Sequence, residues 1–344
     1  MIDDGSQSEL GYLDPATVFA SLNAHSAAAE ELRARIEAMA NQPAHERTSN
    51  RYLVGLVTAT FDVSDLVHPF FGRVFFGIRS RLASAGCDLL ICAAPSVLPG
   101  DHSLRCDAVE RAFKRGVDAL ITWGAGYEDP EIAPILDAKI PVMFVDHDVI
   151  GERAGYVMSA NVDAMAAIVR HLYDFGRRRI AYIAGMLNTR PGPDRLLGYR
   201  SELEEHGLPA RPDYLEHGDY SHLSGYEATK RLLALPEPPD AIAAASDTMA
   251  LGAMVAIMEA GLRIPDDISV TGFDDAEFAA RVRPRLTTAR QDGVGLGTAA
   301  AEGILRMLEN PEAEPPVIVL PAELVIRESS GVPPQGSSPG HSPA

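Results

Sequence analysis

The stretch GLRIPDDISVTGFDD, residues 261–275, joins the end of a helix to a buried strand. Gly261 closes an amphipathic helical stretch, as glycine does where the residue after a helix must be left-handed. The apolar run Ile268–Phe273 then predicts a strand, and two adjacent aspartates follow it. A near-continuous apolar run is typical of a parallel strand that is buried on both faces. The stretch DFGRRRIAYIAG, residues 174–185, predicts the same order of helix end, glycine and strand.

The same alternation continues along most of the chain. Strands are predicted at Tyr52–Thr58, Asp88–Ala93, Ala119–Thr122, Val142–Asp146, Ile180–Ala184, Ala241–Ala244 and Ile268–Phe273. Helices are predicted at Phe70–Ala85, Asp107–Arg115, Ala164–Phe175, Arg195–His206, Ser224–Leu235, Thr248–Ala260 and Gly297–Glu309. Glycines that cap such helices stand at Gly86, Gly116, Gly176, Gly207 and Gly261. Strands that alternate with helices of this length indicate an α/β fold with doubly wound parallel sheets. This number of strand–helix units is too large for one compact sheet, so it favours two such domains.

Composition limits the classes of function. The chain has 344 residues, with 30 Lys and Arg against 48 Asp and Glu, so 30 − 48 gives a net charge of −18. No apolar run approaches the ~20 residues that span a bilayer, and no secretory signal follows Met1. The three cysteines have no CxxC spacing and read as buried packing residues. We therefore expect a reduced, cytoplasmic protein without a membrane span.

Catalytic and cofactor motifs are missing from the sequence. The segment after the first strand has neither a GxGxxG nor a GxxxxGK[ST] pattern, and no HExxH, GxSxG or paired metal-ligand spacing is present. The sequence therefore predicts a binding protein rather than an enzyme, with no cofactor and no metal site.

Several segments in fixed order resemble those of one family. They are HPFF at 68–71, DFGRRRIAYIAG at 174–185, RLLGY at 195–199, GDYS at 218–221, SGY at 224–226, PDAI at 239–242, SDTMALG at 246–252, GLRIPDDISVTGFDD at 261–275, LTTARQ at 286–291 and LPAELVIRES at 320–329. Together they resemble the LacI/GalR bacterial transcription regulators, whose sensor domain has the periplasmic sugar-binding-protein fold.

The resemblance implies two lobes joined by three crossovers, with a ligand in the cleft between them. Lobe one is expected at 51–158 plus 289–320, and lobe two at 159–288 plus 321–330. Residues 331–344 are rich in Pro, Gly and Ser and read as a disordered tail. The resemblance also implies a homodimer that binds operator DNA and a small carbohydrate-like effector.

Polar and aromatic side chains at the predicted strand ends suit a polyol. Carboxylates there accept hydrogen bonds from hydroxyls, and aromatic rings cover C–H surfaces. Arginine donates two forked hydrogen bonds to a ring or hydroxyl oxygen, or to an anionic group on the ligand. The candidate effector residues are Phe70, Phe71, Asp146, Arg195, Tyr220, Asp247, Asp274 and Gln291. The resemblance implies effector contacts at all of these except the two phenylalanines.

Structural alternatives remain open for several of these residues. Asp247 can simply cap the helix that starts at Thr248, and Asp274 can belong to a structural turn. Arg195 can be a surface helix residue. Phe70 and Phe71 can be core residues.

The N-terminal region resembles the family's helix-turn-helix, but in degenerate form. Residues 1–43 form this region and 44–50 a linker, with Pro15, Thr17 and Asn23 as candidate DNA contacts. Phe19-Ala20 stands where Ser-Arg is usual. Residues 1–50 hold eight acids and three arginines, so 3 − 8 gives −5, which opposes contact with phosphates. Two functions therefore stay open: a LacI-type regulator, or a sugar-sensing module that has lost DNA binding and acts through a protein partner.

Overall fold

The structure is a computed structural model that describes residues 52–58, 69–93, 103–124, 126 and 129–331, together with Ala34. The helix-turn-helix-like region, the linker and residues 332–344 of the predicted tail lie outside the described residues. Gly331, which the sequence assigned to that tail, is buried.

The first half of the molecule is a six-stranded parallel sheet with helices on both faces. Its strands are β1 (Leu53–Thr58), β2 (Asp88–Ala93), β3 (Ala119–Trp123), β4 (Val142–Val145), β5 (Ala154–Ser159) and β11 (Val317–Leu320). They are ordered β11-β5-β4-β3-β1-β2 across the sheet. The helices are α1 (Pro69–Ser84), α2 (Ser103–Lys114), α3 (Ile132–Asp137) and α8 (Gly293–Glu309).

The second half is a four-stranded parallel sheet with the order β7-β6-β8-β9. Its strands are β6 (Ile180–Ala184), β7 (Leu215–His217), β8 (Ala241–Ala244) and β9 (Ser269–Thr271). Its helices are α4 (Asn161–Asp174), α5 (Pro191–Glu205), α6 (His222–Leu233) and α7 (Asp247–Glu259). The predicted α/β class with parallel sheets is confirmed.

The chain crosses between the two sheets more than once. It leaves the first sheet after β5, and it returns through β10 (Thr288–Gln291), which forms an antiparallel ladder with β12 (Ala322–Val325). Between these two strands, β11 pairs with β5 in the first sheet. Both halves are therefore discontinuous in sequence, while the exact lobe boundaries stay a prediction.

Burial on both faces explains why the strands read as continuous apolar runs. In β1, Val54 and Leu56 belong to the core under α1 and α8, whereas Val57 belongs to the core under α2 and α3. Since successive side chains of a strand point to opposite faces, each face needs its own apolar set. A single core fills the second half.

The structure tests the capping glycines that were predicted from the sequence. The five predicted capping glycines all have positive φ, from 63° to 99°, which confirms them.

The sequence analysis did not predict β5, β7, β10, β11, β12 and α3. Strand β11 alternates exposed and half-buried residues at the sheet edge, so it lacks the continuous apolar run used to find the others. No helix within the described ranges is long and apolar enough to cross a membrane.

Close packing of α6 on α7 gives a stability prediction. A Cβ on Gly225 would lie 2.2 Å from the Met249 carbonyl oxygen. Alanine has the higher helix propensity, by about 1 kcal/mol, but here it forces the helices apart. We expect Gly225→Ala to lower the free energy of unfolding by about 1–3 kcal/mol in urea denaturation. The exposed control Glu227→Ala is expected to change it by less than about 0.5 kcal/mol, and a stabilised Gly225→Ala protein would contradict the packing.

Candidate functional site

The predicted site residues lie at the carboxyl ends of the strands of both halves. Asp146 directly follows β4, and Trp123 ends β3. In the second half, Tyr220, Asp247 and Asp274 follow β7, β8 and β9 within a few residues. Open parallel sheets bind ligands at this edge because their connecting loops converge there.

Asp146 is a buried carboxylate with one unsatisfied oxygen. Its Oδ2 accepts a hydrogen bond from the Trp123 indole N–H at 3.4 Å. Its Oδ1 is buried and has no hydrogen-bond partner among the described residues. Burial raises the pKa of Asp146 to about 6, and the Arg195 guanidinium opposes this rise. The backbone at Asp146 has φ 56°, a conformation that a non-glycine residue rarely holds without a structural reason.

An aromatic wall stands beside Asp146. The Phe71 ring stacks on the Trp123 ring with centroids 4.2 Å apart, and Phe70 meets Trp123 edge-on at 6.0 Å. Phe70 also belongs to the core of the first half, so the core alternative holds for that residue. Trp123 was missed by the sequence analysis. Its position at the end of a buried strand, next to the end of β4, was the available signal.

Arg195 is a buried cation at the start of α5, which excludes the surface alternative. Its Nε donates to Asn161 Oδ1 at 2.8 Å, and its Nη1 donates to the Ala245 carbonyl oxygen at 2.6 Å. The guanidinium lies 3.8 Å from the centroid of the Phe273 ring. Its Nη1 lies 4.0 Å from Asp274 Oδ1. Arg195 is thus held in place by protein oxygens and aromatic contact at once.

Asp274 and Gln291 form a hydrogen-bonded pair. Gln291 Nε2 donates to Asp274 Oδ1 at 2.7 Å, whereas Gln291 Oε1 is buried and finds no partner in the described part of the chain. Burial raises the pKa of Asp274 to about 6, against the lowering effects of Arg195 and Gln291. Asp274 has φ 118°, so the loop after β9 is strained at this residue.

Asp247 serves mainly to position the loop that carries Asp274. Its Oδ1 accepts from the Thr288 hydroxyl at 2.6 Å and its Oδ2 from the Ala276 backbone N–H at 2.7 Å. The helix cap is Ser246, whose Oγ accepts from the Met249 N–H at 3.2 Å. The alternative that Asp247 caps α7 is therefore wrong. Burial and the neighbouring Asp274 carboxylate raise the pKa of Asp247 well above its usual value.

Tyr220 packs its ring directly over Gly185, where a Cβ would lie 2.2 Å from the ring. Its backbone has φ 68°. Its hydroxyl is buried without a hydrogen-bond partner among the described residues. The nearby Thr189 hydroxyl donates instead to the Met186 carbonyl oxygen at 3.3 Å. Burial raises the pKa of Tyr220, so the phenol stays protonated.

An ion pair that the sequence did not reveal joins the two halves beside this site. Arg190, before α5, donates from Nη1 to Asp148 Oδ2 at 2.5 Å, and Asp148 follows β4 in the first half. The same guanidinium donates from Nε to Asp194 Oδ2 at 2.9 Å. Burial lowers the pKa of the adjacent His147 to about 4, so this imidazole is neutral at neutral pH.

The structure brings all eight predicted effector residues to one region between the halves. The candidate DNA contacts Pro15, Thr17 and Asn23 lie outside the described residues. In the ranges that the structure describes, no group of three His, Cys, Asp or Glu side chains is placed to hold a metal ion.

Several known proteins similar to this chain are transcription regulators. The family described as periplasmic binding protein-like domain matches residues 169–330. A probable HTH-type transcriptional repressor ExuR of Bacillus subtilis (strain 168) is 34% identical over 195 residues, which cover 57% of this chain and 59% of the repressor.

Solved structures give the same result over more of the chain. The complex of the transcriptional regulator CelR with cellobiose has a TM-score of 0.75 at 27% identity, and covers 91% of this chain and 94% of CelR. A lac repressor dimer bound to operator and the anti-inducer ONPF has a TM-score of 0.73 at 28% identity, with coverage of 83% and 96%. The fold is that of a periplasmic-binding-protein-like domain. Over more than four-fifths of its length the chain is similar to solved transcriptional regulators of the LacI type.

Burial of Asp146 yields a pH-dependent stability prediction. Its folded pKa of about 6 lies above the ordinary 3.8, so the folded state binds the proton more tightly. The ionised carboxylate therefore destabilises the fold, an effect absent below about pH 4 and complete above about pH 6. We expect Asp146→Asn to raise the free energy of unfolding at pH 7.5 by at most about 3 kcal/mol.

Denaturant titrations at pH 7.5 and pH 4 measure this effect. The gain in Asp146→Asn should vanish at the lower pH. The exposed Asp163→Asn serves as control and should show no gain at either pH. A less stable Asp146→Asn protein at pH 7.5 would mean that the charge is stabilising in the empty site.

Proposed function

We propose that this chain is a ligand-responsive, DNA-binding regulator that senses a small carbohydrate-like effector between two lobes. The lobes are residues 51–158 plus 289–320 and residues 159–288 plus 321–330. The observation that carries the proposal is the set of buried, unpartnered acceptors, Asp146 Oδ1 and Gln291 Oε1. Buried polar atoms without partners are costly, and ligand hydroxyls would satisfy both.

The surroundings of these acceptors match a sugar. The Phe71 and Trp123 rings offer apolar faces for C–H surfaces. Arg195 Nη1 and Asp274 Oδ1 lie 4.0 Å apart, so Arg195 can donate a hydrogen bond to one ligand hydroxyl while Asp274 accepts one from its neighbour. The relative CelR was solved with cellobiose, and the lac repressor with operator and an anti-inducer. These likenesses support the sugar class and the coupling to DNA.

Regulation would follow from linkage between effector and DNA. An effector that contacts both lobes favours their closed arrangement, and DNA that prefers another arrangement is then released, or the reverse. We place DNA contacts in residues 1–43, at Pro15, Thr17 and Asn23, in a cytoplasmic homodimer. A two-fold symmetric dimer suits a palindromic operator.

The acidic N-terminal region favours the second candidate function. Residues 1–50 have a net charge of −5, from three arginines and eight acids. Phosphate contacts need cations, so this charge supports a sugar sensor that acts through a protein partner instead of DNA.

Effector binding is tested by calorimetry of the full chain against neutral, amino and acidic sugars. Trp123 is the single tryptophan, and its fluorescence gives a second signal from the site. We expect Arg195→Ala to weaken binding roughly 10- to 150-fold, because one charge-assisted hydrogen bond is lost. Arg200→Ala, exposed on the same helix, is the control. Unchanged affinity in a folded Arg195→Ala protein, or in Gln291→Ala if the first variant fails to fold, would refute the site.

DNA binding is tested by a salt titration against the chain's own upstream promoter and a random duplex. We expect a preference for a palindrome and a steep negative slope of log affinity against log salt concentration. A folded dimer that binds neither duplex at about 50 mM salt would favour the partner-protein function.

A further inference from the structure

The site is richer in carboxylates than in cations. Asp146, Asp247 and Asp274 are all buried there, and the Arg195 guanidinium lies near Asp146 and Asp274. Arg190 is already engaged by Asp148 and Asp194. The neighbouring His147 is neutral, since burial lowers its pKa to about 4. At neutral pH the two ionised carboxylates of Asp146 and Asp274 outnumber the Arg195 cation, so these three groups carry a net negative charge.

The hydrogen-bonding groups left for a ligand are two acceptors, one guanidinium donor group and one hydroxyl. Asp146 Oδ1 and Gln291 Oε1 are buried acceptors without partners in the described ranges. Arg195 donates to protein oxygens from Nε and Nη1, which leaves Nη2 as its group without a hydrogen bond to described residues. The Tyr220 hydroxyl can donate or accept. Ligand hydroxyls complement this set, because a hydroxyl can donate to Asp146 or Gln291 and can accept from Arg195.

We propose that the site selects a neutral polyhydroxylated effector and discriminates against sugars that carry a carboxylate or phosphate group. This inference rests on the proposed function and specifies the chemical class of its effector. Hydroxyl groups donate to Asp146 and Gln291 and accept from Arg195. A carboxylate or phosphate has no hydrogen to donate at neutral pH and adds a negative charge beside Asp146 and Asp274.

Desolvation makes this discrimination stronger than it would be in water. An anion among these buried residues competes for Arg195 with two carboxylates that already share it. Like charges in a low dielectric repel strongly, and a buried charge without a partner is expensive. We therefore expect neutral sugars to bind about tenfold or more tightly than their anionic counterparts.

Acid weakens the repulsion, because burial raises the pKa of Asp146 and of Asp274 to about 6. At pH 7.5 both carboxyls are ionised, and at pH 5 both are largely protonated. The groups that act on these two carboxyls are Arg195, Trp123, Asp194, Gln291 and Asp247. The preference for a neutral sugar over its anionic counterpart should therefore shrink between pH 7.5 and pH 5.

The test is calorimetry of the full chain with matched trios of neutral sugar, uronic acid and sugar phosphate. The trios are built on glucose, galactose and mannose, with ribose and cellobiose as further neutral probes. We expect the tightest ligand to be neutral, and its anionic counterparts to bind about tenfold or more weakly at pH 7.5. Asp146→Asn should weaken the neutral ligand while reducing the neutral-to-anion ratio, whereas Asp163→Asn should change neither.

Each outcome separates this inference from the proposed function. A uronic acid or sugar phosphate that binds tighter than its neutral counterpart overturns the inference and leaves the sensor function standing. An Asp146→Asn protein that keeps the wild-type ratio also overturns it. A folded wild-type protein that binds none of the probes contradicts the proposed function itself, and the inference with it.

Discussion

The buried guanidinium of Arg195 is the interaction on which the site depends. The carboxyl groups of Asp146 and Asp274 lie near it, and an ionised carboxylate buried without a counter-charge is strongly disfavoured. Its position is fixed independently of any ligand by Asn161, by the Ala245 carbonyl oxygen and by the Phe273 ring. These contacts come from α4, from the end of β8 and from the end of β9. The second sheet therefore holds the cation in place before an effector arrives.

The loop after β9 connects this charged site to the crossovers between the two halves. Asp274 faces the site, while the next residue, Asp275, accepts hydrogen bonds from Arg290 on β10 at 2.7 Å and from Arg327 after β12 at 2.5 Å. The Asp274 backbone N–H donates to the Ala289 carbonyl oxygen at 2.8 Å. A shift of Asp274 toward a ligand thus acts directly on both crossover strands. Mechanical coupling between binding and lobe orientation needs such a contiguous set of contacts.

Most of the fold could be predicted from local sequence, but only part of the candidate site could. Strands buried on both faces were found because they are continuously apolar, and capping glycines because few other residues hold positive φ. Strand β11 was missed because half of its side chains are exposed. Asp146 and Asp274 were found because carboxylates at buried strand ends are conspicuous.

Trp123 and Arg190 escaped detection for different physical reasons. An apolar residue at the end of an apolar strand looks like more core, and only the three-dimensional fold shows that Trp123 donates to Asp146. Arg190 pairs with Asp148, 42 residues earlier in the chain, and such pairing leaves no local pattern. Asp247 shows the converse error, since its position before a helix suggested a cap that Ser246 provides.

The ion pairs of Arg190 would let the two halves separate at low cost. Asp194 lies one helical turn after Arg190, so that pair moves with the second half as a unit. Asp148 belongs to the first half, and separation of the halves would break its pair with Arg190. The guanidinium would keep Asp194 after opening, so no unpaired buried charge is left behind. Since the side chains of Arg190 and Asp148 are 20% and 18% exposed, water can solvate both as they part. Such a separation would exchange one partly hydrated pair for water, so in the proposed function the contacts of the effector decide which arrangement is populated.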